Sequence, residues 1–309
     1  MLTCGLVILN YRDYSVTEEL LRHVKDIPEI DYIVVVDNDS PNESYSHLRK
    51  YESPKISVIQ SGRNGGYSFG NNTGARYLID KFHPDIIGIA NPDVIFDGSL
   101  PRKVKELFAS HSDYAVVTGA GYYLQADGSY IPSNTWGEEK ARASSLIKSA
   151  VKSLVPFSVR RVLKKILHID SAAEYGNSNI REVWAVCGCL FFIRTEDFVN
   201  VGMFDENIFL YCEEFILACK LQRAGRKTVV TNEATFYHDH RHPKTALGLL
   251  ESEHRELAAS TKSEIYFFEN YVTNSKFLHV IYRLLKKLQM LKHYTGYGIK
   301  KAILTLRGK

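Results

Sequence analysis

The first ninety residues alternate short apolar runs with segments of helical spacing, and this alternation constrains the fold more than any other feature. The apolar runs, rich in β-branched residues, cover residues 6–9, 33–36, 56–59 and 86–90. Segments typical of helices separate them, at residues 15–26, 43–51 and 69–82. Buried strands that alternate with helices indicate a parallel sheet covered on both faces. We therefore predict an α/β fold with a mostly parallel central sheet.

Polar side chains stand directly after these apolar runs, where the carboxyl ends of the strands form a crevice that binds ligands in open α/β sheets. They are Asn10, Asp37, Asn38, Asp39, Arg63, Asn64, Asn91 and Asp93. A carboxylate at the position of Asp37 accepts hydrogen bonds from a nucleotide base or ribose, or caps the next helix. Gly65 and Gly66 let the backbone approach a phosphate, and Arg63 neutralises phosphate charge; the alternative is a glycine-rich turn that opens a helix.

Three acidic positions and a histidine cluster are candidates for chemistry. Asp93 holds Mg²⁺ or Mn²⁺ with diphosphate oxygens, or is an ordinary turn residue. Glu213 and Glu214 supply a general base for a hydroxyl nucleophile, or complement the dipole of the helix that follows them. His238, His240 and His242 would share one face of a strand. They form a zinc site, or one functional histidine with two solvated neighbours.

These segments together resemble glycosyltransferase family 2, most closely its rhamnosyltransferase-like branch. The resemblance covers roughly residues 3–243, and its specificity comes from the order and spacing of motifs that are individually weak. The residues that carry it are 7–11, 36–40, 63–72, 91–94, 188–194 and 202–206 through Gly225.

The resemblance implies a GT-A (Rossmann-like) fold and a single displacement that inverts the anomeric centre. It implies nucleotide binding by a set of residues at the strand ends, namely Asn10, Asp37, Asn38, Arg63, Asn64, Gly65, Gly66 and Asn91. Asp93 resembles the last residue of a DxD motif with Asn91 in place of its first acid, and His238 resembles the histidine that helps hold the metal and diphosphate. Glu214 takes the place of the usual aspartate base. The extra methylene leaves Glu213 as the alternative base, and Ile216 replaces a second acid that many members carry.

Charge is distributed unevenly along the chain. The net charge is +4, yet residues 140–182 carry a surplus of +6 and residues 276–309 a surplus of +9. In the C-terminal segment, Phe277, Ile281, Leu284, Leu285, Leu288 and Leu291 fall at helical spacing among lysines and arginines. A similar pattern covers residues 146–167. Such helices bind an anionic membrane surface; the alternative is that their apolar faces pack in the core or in a homodimer. No nucleic-acid motif accompanies them, so we expect no nucleic-acid partner.

The resemblance implies a GT-A domain over residues 1–245. The charge distribution predicts a basic helical insertion in it at about 140–182 and a basic helical extension over 246–309. Five cysteines without CxxC spacing favour a reducing compartment over a disulfide framework. We see no signal peptide and no apolar run long enough to cross a membrane. We expect a peripheral protein at the cytoplasmic face of the cell membrane.

The resemblance implies a transferase that uses a nucleotide-diphospho-sugar donor, with dTDP-L-rhamnose ahead of UDP-hexoses. It implies as acceptor a hydroxyl of a lipid-linked glycan in bacterial cell-surface polysaccharide synthesis. Two alternatives stay open. A sugar-1-phosphate nucleotidyltransferase shares the fold type, although its glycine-rich basic signature is missing after Leu9. A catalytically inactive relative would only bind glycans.

Overall fold

The computed structural model describes residues 2–125, 128–132, 140–155, 178–239 and 246–306. The chain divides into two compact units. Unit 1 comprises residues 1–140 and 177–240, and unit 2 comprises residues 141–176 and 241–309. The predicted domain boundary at residue 245 stays a prediction.

Unit 1 contains a large mixed sheet with helices along both faces. Its strands are β1 (Cys4–Asn10), β2 (Tyr32–Asp37), β3 (Ile56–Gln60), β4 (Ile86–Ala90), β5 (Val94–Phe96), β6 (Tyr114–Leu124), β7 (Tyr130–Pro132), β8 (Ile180–Val183), β9 (Leu190–Arg194) and β10 (Lys227–His238). Its helices are α1 (Tyr14–Val24), α2 (Ser44–Leu48), α3 (Gly66–Phe82), α4 (Ser99–Ser110), α6 (Thr195–Asn200) and α7 (Glu213–Arg223). Unit 2 contributes α5 (Ala143–Leu154), α8 (Ala246–Phe267) and α9 (Lys276–Leu306).

The sheet has the order β3-β2-β1-β4-β9-β6-β10-β5, with β7 beside β6 and β8 beside β10. The pairs β3–β2, β2–β1 and β1–β4 are parallel, as is β6–β10, whereas β9 runs antiparallel to both of its neighbours. The four predicted N-terminal strands are therefore confirmed, and they are contiguous in the sheet. The α/β prediction and the GT-A prediction are confirmed as well, because solved structures of that fold align with the chain, as described below.

The core follows from the apolar runs that predicted the strands. Residues Ile33, Val34, Val35 and Val36 of β2 are all fully buried, so both faces of this strand are covered. Helix α1 buries Val16, Leu20, Leu21 and Val24, which lie on one side of the helix, and the side chain of Asp13 caps its first turn. The predicted helix over 43–51 is shorter, because its last three residues form a 3₁₀ turn.

Strand β10 positions His238 beside the turn that follows β4. A register shift between Thr231 and Thr235 bends it while it stays parallel to β6. Its last residues then pair antiparallel with β5, so that His238 lies opposite Val94. This pairing brings the end of β10 beside the turn that contains Asp93.

Unit 2 is a helical unit in which α9 packs on α8 and α5. The rings of Phe268 and Tyr282 stack with centroids 4.1 Å apart. Lys286 is buried and donates to Oε2 of Glu264 at 2.6 Å, and Gln289 donates to the carbonyl of Ala150 at 3.1 Å. The predicted C-terminal amphipathic helix thus exists, although a lysine is one of its buried residues. Of the other basic segment, residues 156–167 lie outside the described residues. Within the described part of the chain, no helix combines the length and the apolar character needed to cross a membrane.

Candidate active site

The carboxyl ends of β1 and β2 hold a buried pair of polar side chains. Asn10 and Asp37 are register partners, and neither side chain is exposed. Nδ2 of Asn10 donates to Oδ1 of Asp37 at 2.8 Å, and the backbone N–H of Ser40 donates to Oδ2 at 3.0 Å. Thr17 orients Asn10 by donating to its Oδ1 at 2.8 Å. The Asp37 carboxylate is therefore fixed in position at the strand end.

Asn38 fastens the glycine-rich loop to the end of β2. Its Nδ2 donates to Oδ1 of Asn64 at 3.1 Å and to the carbonyl of Gly66 at 3.2 Å. Its Oδ1 accepts from the hydroxyl of Ser61 at 3.0 Å. Arg63 extends from this loop into solvent, with its guanidinium 4.5 Å from the centre of the Phe69 ring. The loop therefore presents a cation and a backbone turn on the same side as Asp37.

Gly66 permits a close approach between this loop and the segment that precedes Glu213. Its φ is +87°, and a Cβ at this position would lie 2.0 Å from the carbonyl oxygen of Phe209. The next residue, Tyr67, donates its backbone N–H to that same oxygen at 2.8 Å. Only glycine satisfies both constraints, which explains the second glycine of the loop.

Asp93 and His238 form a pair at the end of β10. Nε2 of His238 lies 3.1 Å from Oδ1 of Asp93, and the backbone N–H of Asp239 donates to the carbonyl of Asp93 at 2.8 Å. Nearby, the backbone N–H of Asn91 donates to the carbonyl of Cys189 at 2.7 Å. Two residues that are 145 positions apart in the chain thus meet as adjacent oxygen and nitrogen donors.

This donor set fits a divalent cation that shares its coordination with phosphate oxygens. One carboxylate and one imidazole are side chains that Mg²⁺ and Mn²⁺ accept, and Mg²⁺ takes few protein ligands when a substrate phosphate supplies the rest. Among the described residues, no group of three or more His, Cys, Asp or Glu side chains is arranged to hold a metal by itself. The three-histidine zinc hypothesis stays a prediction, because His240 and His242 lie outside the described residues.

Glu213 and Glu214 begin helix α7 after an unusual turn. Tyr211 and Cys212 both adopt left-handed backbone conformations, with φ of 72° and 71°. Glu213 is 5% exposed, and its Oε2 is buried with no hydrogen-bond partner among the described residues. Burial raises the pKa of Glu213 to about 7. Burial first, and the charge of Glu213 second, raise the pKa of Glu214 well above its usual range.

Glu214 differs from Glu213 in its surroundings. Taken as whole residues, Glu214 keeps partial exposure, whereas Glu213 is buried. A Cβ placed on Gly188 would lie 4.0 Å from Oε2 of Glu214, so the absence of a side chain at Gly188 leaves space beside this oxygen. This space is wide enough for a small polar group beside Glu214, and the choice between Glu213 and Glu214 as the base stays a prediction.

Residues 187–189 link the glutamates to the Asp93–His238 pair. The hydroxyl of Tyr67, whose pKa is raised well above its usual range by burial and then by Glu213, donates to the carbonyl of Gly188 at 2.5 Å. On the other side, the hydroxyl of Tyr123 lies 2.7 Å from Sγ of Cys187, and the ring of Tyr123 lies 5.1 Å from that of His238. A hydrogen bond from the Cys189 thiol lowers the pKa of Cys187 to about 6.

The candidate residues that the structure describes are therefore connected by contacts at one edge of the sheet. The glycine-rich loop contacts Asn38 and Phe209, the 187–189 segment contacts Tyr67 and Tyr123, and the Asp93–His238 pair lies beside Tyr123. The sequence did not predict that Tyr67, Tyr123 and Cys187 connect the parts of the site. Tyr67 directly follows the two glycines of the loop, so its position in this motif could have indicated a role. Tyr123 has no comparable signal in the sequence around it.

The sequence is similar to those of known proteins. The family model described as glycosyl transferase family 2 matches residues 6–166. The hexosyltransferase Agl10 of low-salt glycan biosynthesis in Haloferax volcanii is 27% identical over 222 residues, covering 71% of this chain. The rhamnosyltransferase WbbL of Escherichia coli K12 is 25% identical over 235 residues, covering 71% of this chain and 77% of WbbL. The match spans 61% of the length of the archaeal relative.

Two solved structures share the fold. The crystal structure of GalNAc-T7 with UDP, GalNAc and Mn²⁺ aligns with a TM-score of 0.59 and 14% identity, covering 100% of this chain and 58% of the other. The mannosyltransferase PcManGT from Pyrobaculum calidifontis, in complex with GDP-Man and Mn²⁺, aligns with a TM-score of 0.53 and 14% identity, covering 99% and 79%.

Proposed function

Because the chain belongs to glycosyltransferase family 2, we propose that it is a metal-dependent inverting glycosyltransferase that moves a sugar from a nucleotide-diphosphate donor to a glycan hydroxyl. The observation that carries the proposal is a series of contacts that starts beside Asp37 and ends at the Asp93–His238 pair. Asn38 contacts the glycine-rich loop, Tyr67 of that loop contacts residues 187–189, and Tyr123 contacts both that segment and His238. A nucleotide, its diphosphate and a deprotonated acceptor need a strand-end carboxylate, a cation site and a general base at one site.

We assign the donor nucleotide to the ends of β1 and β2. Asp37 accepts hydrogen bonds from the base or ribose, while Asn10 and Ser40 hold its carboxylate in place. The loop from Arg63 to Gly66 lies against the diphosphate, because its backbone is free of bulk and its arginine is positive. Asn91, Asp93 and His238 lie at the end of this path, and the last two hold the cation.

We assign the role of general base to Glu214. Its carboxylate takes the proton of the acceptor hydroxyl, whose oxygen attacks the anomeric carbon from the face opposite the diphosphate. The bond from that carbon to the diphosphate oxygen breaks, and the configuration of the anomeric carbon is inverted. When bound, Mg²⁺ or Mn²⁺ supplies positive charge that stabilises the developing diphosphate. Glu213, buried beside the base, raises the pKa of Glu214 and so increases its basicity.

We propose the donor from the names of the two relatives. One relative bears the name of a rhamnosyltransferase and the other that of a hexosyltransferase, which supports dTDP-L-rhamnose first and UDP-hexoses second. A lipid-linked glycan in bacterial cell-surface polysaccharide synthesis is the acceptor we favour, and it places the protein at the cytoplasmic face of the cell membrane.

A panel of nucleotide sugars tests the proposal. The purified chain is incubated with Mn²⁺, dTDP-L-rhamnose or UDP-hexoses, and an extract of lipid-linked glycans, and release of nucleoside diphosphate is measured. We expect release that needs the acceptor and that is lost in Glu214→Gln. The exposed Glu196→Gln variant serves as the matched control and keeps full activity.

Three results would contradict these assignments. Pyrophosphate formed from a nucleoside triphosphate and a sugar 1-phosphate would indicate a nucleotidyltransferase. Tight glycan binding without turnover of any donor would indicate an inactive relative. Full activity in alanine variants of both Glu213 and Glu214 would show that neither is the base.

A further inference from the structure

Helix α9 in unit 2 exposes large apolar side chains along one face. We call this face the apolar stripe, and its members are Phe277, Val280, Leu284, Leu288, Leu291, Ile299, Ile303 and Leu306. Phe277 is 73% exposed, Leu291 is 62% exposed and Leu306 is 87% exposed. Successive members are mostly three or four residues apart, so they line up along the helix. Contiguous exposed apolar surface of this extent marks an interaction site.

The orientation of the stripe is set by the opposite side of the same helix. Tyr282 is buried and stacks on Phe268, and the buried Lys286 is paired with Glu264. Lys292 donates to the carbonyl of Ser153 at 2.8 Å. These contacts hold one side of α9 against α8 and α5, so the apolar stripe lies on the side that faces solvent.

Positive charge borders one side of the stripe. Lys276 and Lys287 lie along this border, and both are exposed. Residues 276–309 contain nine lysines and arginines and no acidic residue. An apolar face beside a row of cations matches the chemistry of a bilayer surface, where acyl chains lie beneath anionic headgroups.

The same charges disfavour a second copy of the helix as the occupant. Helices that associate through an apolar seam place oppositely charged residues across its borders. Two copies of α9 would bring lysines together and offer them no acidic partner from the same helix. A membrane with anionic lipids removes this repulsion.

We propose that α9 binds an anionic phospholipid membrane by inserting the apolar stripe into the outer part of one leaflet while its bordering lysines contact lipid headgroups. The helix then lies parallel to the membrane plane. The proposal gives the membrane location proposed above a defined surface. Its test requires neither donor nor acceptor, so it stands or fails independently of the transferase reaction.

Co-sedimentation of the full chain with vesicles tests the proposal. Vesicles of phosphatidylcholine mixed with phosphatidylglycerol, whose headgroups give the surface a negative potential, are compared with vesicles of phosphatidylcholine alone. We expect binding to the anionic vesicles that weakens when salt is raised from about 0.1 to about 0.5 M, because headgroup contacts are screened.

Paired variants separate the two components of the surface. Leu284→Ser with Leu291→Ser shortens the apolar stripe, and we expect the partition coefficient to fall at least about tenfold. The matched control changes two residues of similar exposure in unit 1, Val199→Ser with Ile131→Ser, and keeps wild-type binding.

A second pair tests the charges. Lys276→Gln with Lys287→Gln removes two bordering cations, and we expect at least about a fivefold loss of binding to anionic vesicles. Lys25→Gln with Lys262→Gln removes the same charge elsewhere and serves as the control. Circular dichroism confirms that each variant keeps its helices.

Three outcomes would overturn the proposal. The first is equal binding by the stripe variants and their controls, and the second is no binding to anionic vesicles at low salt. The third is a stable dimer by light scattering that Leu284→Ser with Leu291→Ser converts to a monomer, because the stripe would then be a contact between copies.

Discussion

Glu213→Gln should remove a pH dependence of stability that the buried carboxylate imposes on unit 1. Burial raises the pKa of Glu213 from 4.5 to about 7. The native state therefore keeps a proton that the unfolded state releases between these two values. Stability contributed by this group is fully present below pH 4.5, declines as the pH rises through the folded pKa and stays constant above it. A difference of about 2.5 pKa units corresponds to about 3 kcal/mol.

The measurement is urea unfolding at pH 5, 6, 7 and 8, followed by tryptophan fluorescence, to which Trp184 of unit 1 contributes. Between pH 5 and 8, we expect the wild-type chain to lose up to about 3 kcal/mol more than Glu213→Gln loses. The amide of glutamine places unpaired N–H donors at a buried position, which lowers the free energy of unfolding by about 1–3 kcal/mol at every pH. The test is therefore the change with pH and not the stability at one pH.

The exposed Glu196→Gln variant is the matched control and should follow the wild-type profile. Parallel profiles for the wild type and Glu213→Gln would refute the reasoning, because the carboxylate would then have a similar pKa in the folded and unfolded states. A steeper decline in the variant would refute it as well.

Three further predictions concern the loop, the cation and the base. Gly66→Ala should lower the free energy of unfolding by more than about 3 kcal/mol, because the new Cβ would overlap the carbonyl of Phe209. Gly62 has φ of +78° but open space around it, so Gly62→Ala should lower that free energy by only about 1 kcal/mol in the same urea assay. Equal losses would contradict the close approach at Gly66. Asp93→Asn should weaken Mn²⁺-dependent binding of nucleoside diphosphate at least about tenfold by calorimetry, and unchanged affinity would remove this residue from the cation site. Transferase activity should fall as the pH drops through a midpoint above 4.5, the usual pKa of a glutamate side chain, because the pKa of Glu214 is raised. Glu213→Gln should lower that midpoint, because it removes a like charge beside Glu214. An unchanged midpoint would show that Glu213 does not affect the pKa of Glu214.

The sequence by itself determined the N-terminal strands and the place of the candidate site. A strand covered on both faces must be apolar throughout, so the runs ending at Asn10 and Asp37 are readable without any partner. The chain must turn where each run ends, and parallel neighbours turn at the same edge. Polar residues after these strands are therefore neighbours in space, as the hydrogen bond between Asn10 and Asp37 shows.

Only the tertiary structure decided how distant segments meet and which side of a helix is covered. The pairing of β5 with β10 joins Asp93 to His238 across 145 residues, and no local periodicity encodes a contact of that range. Helix α9 is apolar on more than one side, so its spacing predicted a helix but not its buried face. Packing on α8 covered Lys286, whose charge Glu264 balances, and left Phe277 exposed. Burial therefore depends on which partner surface is present, and not on the hydropathy of a side chain alone.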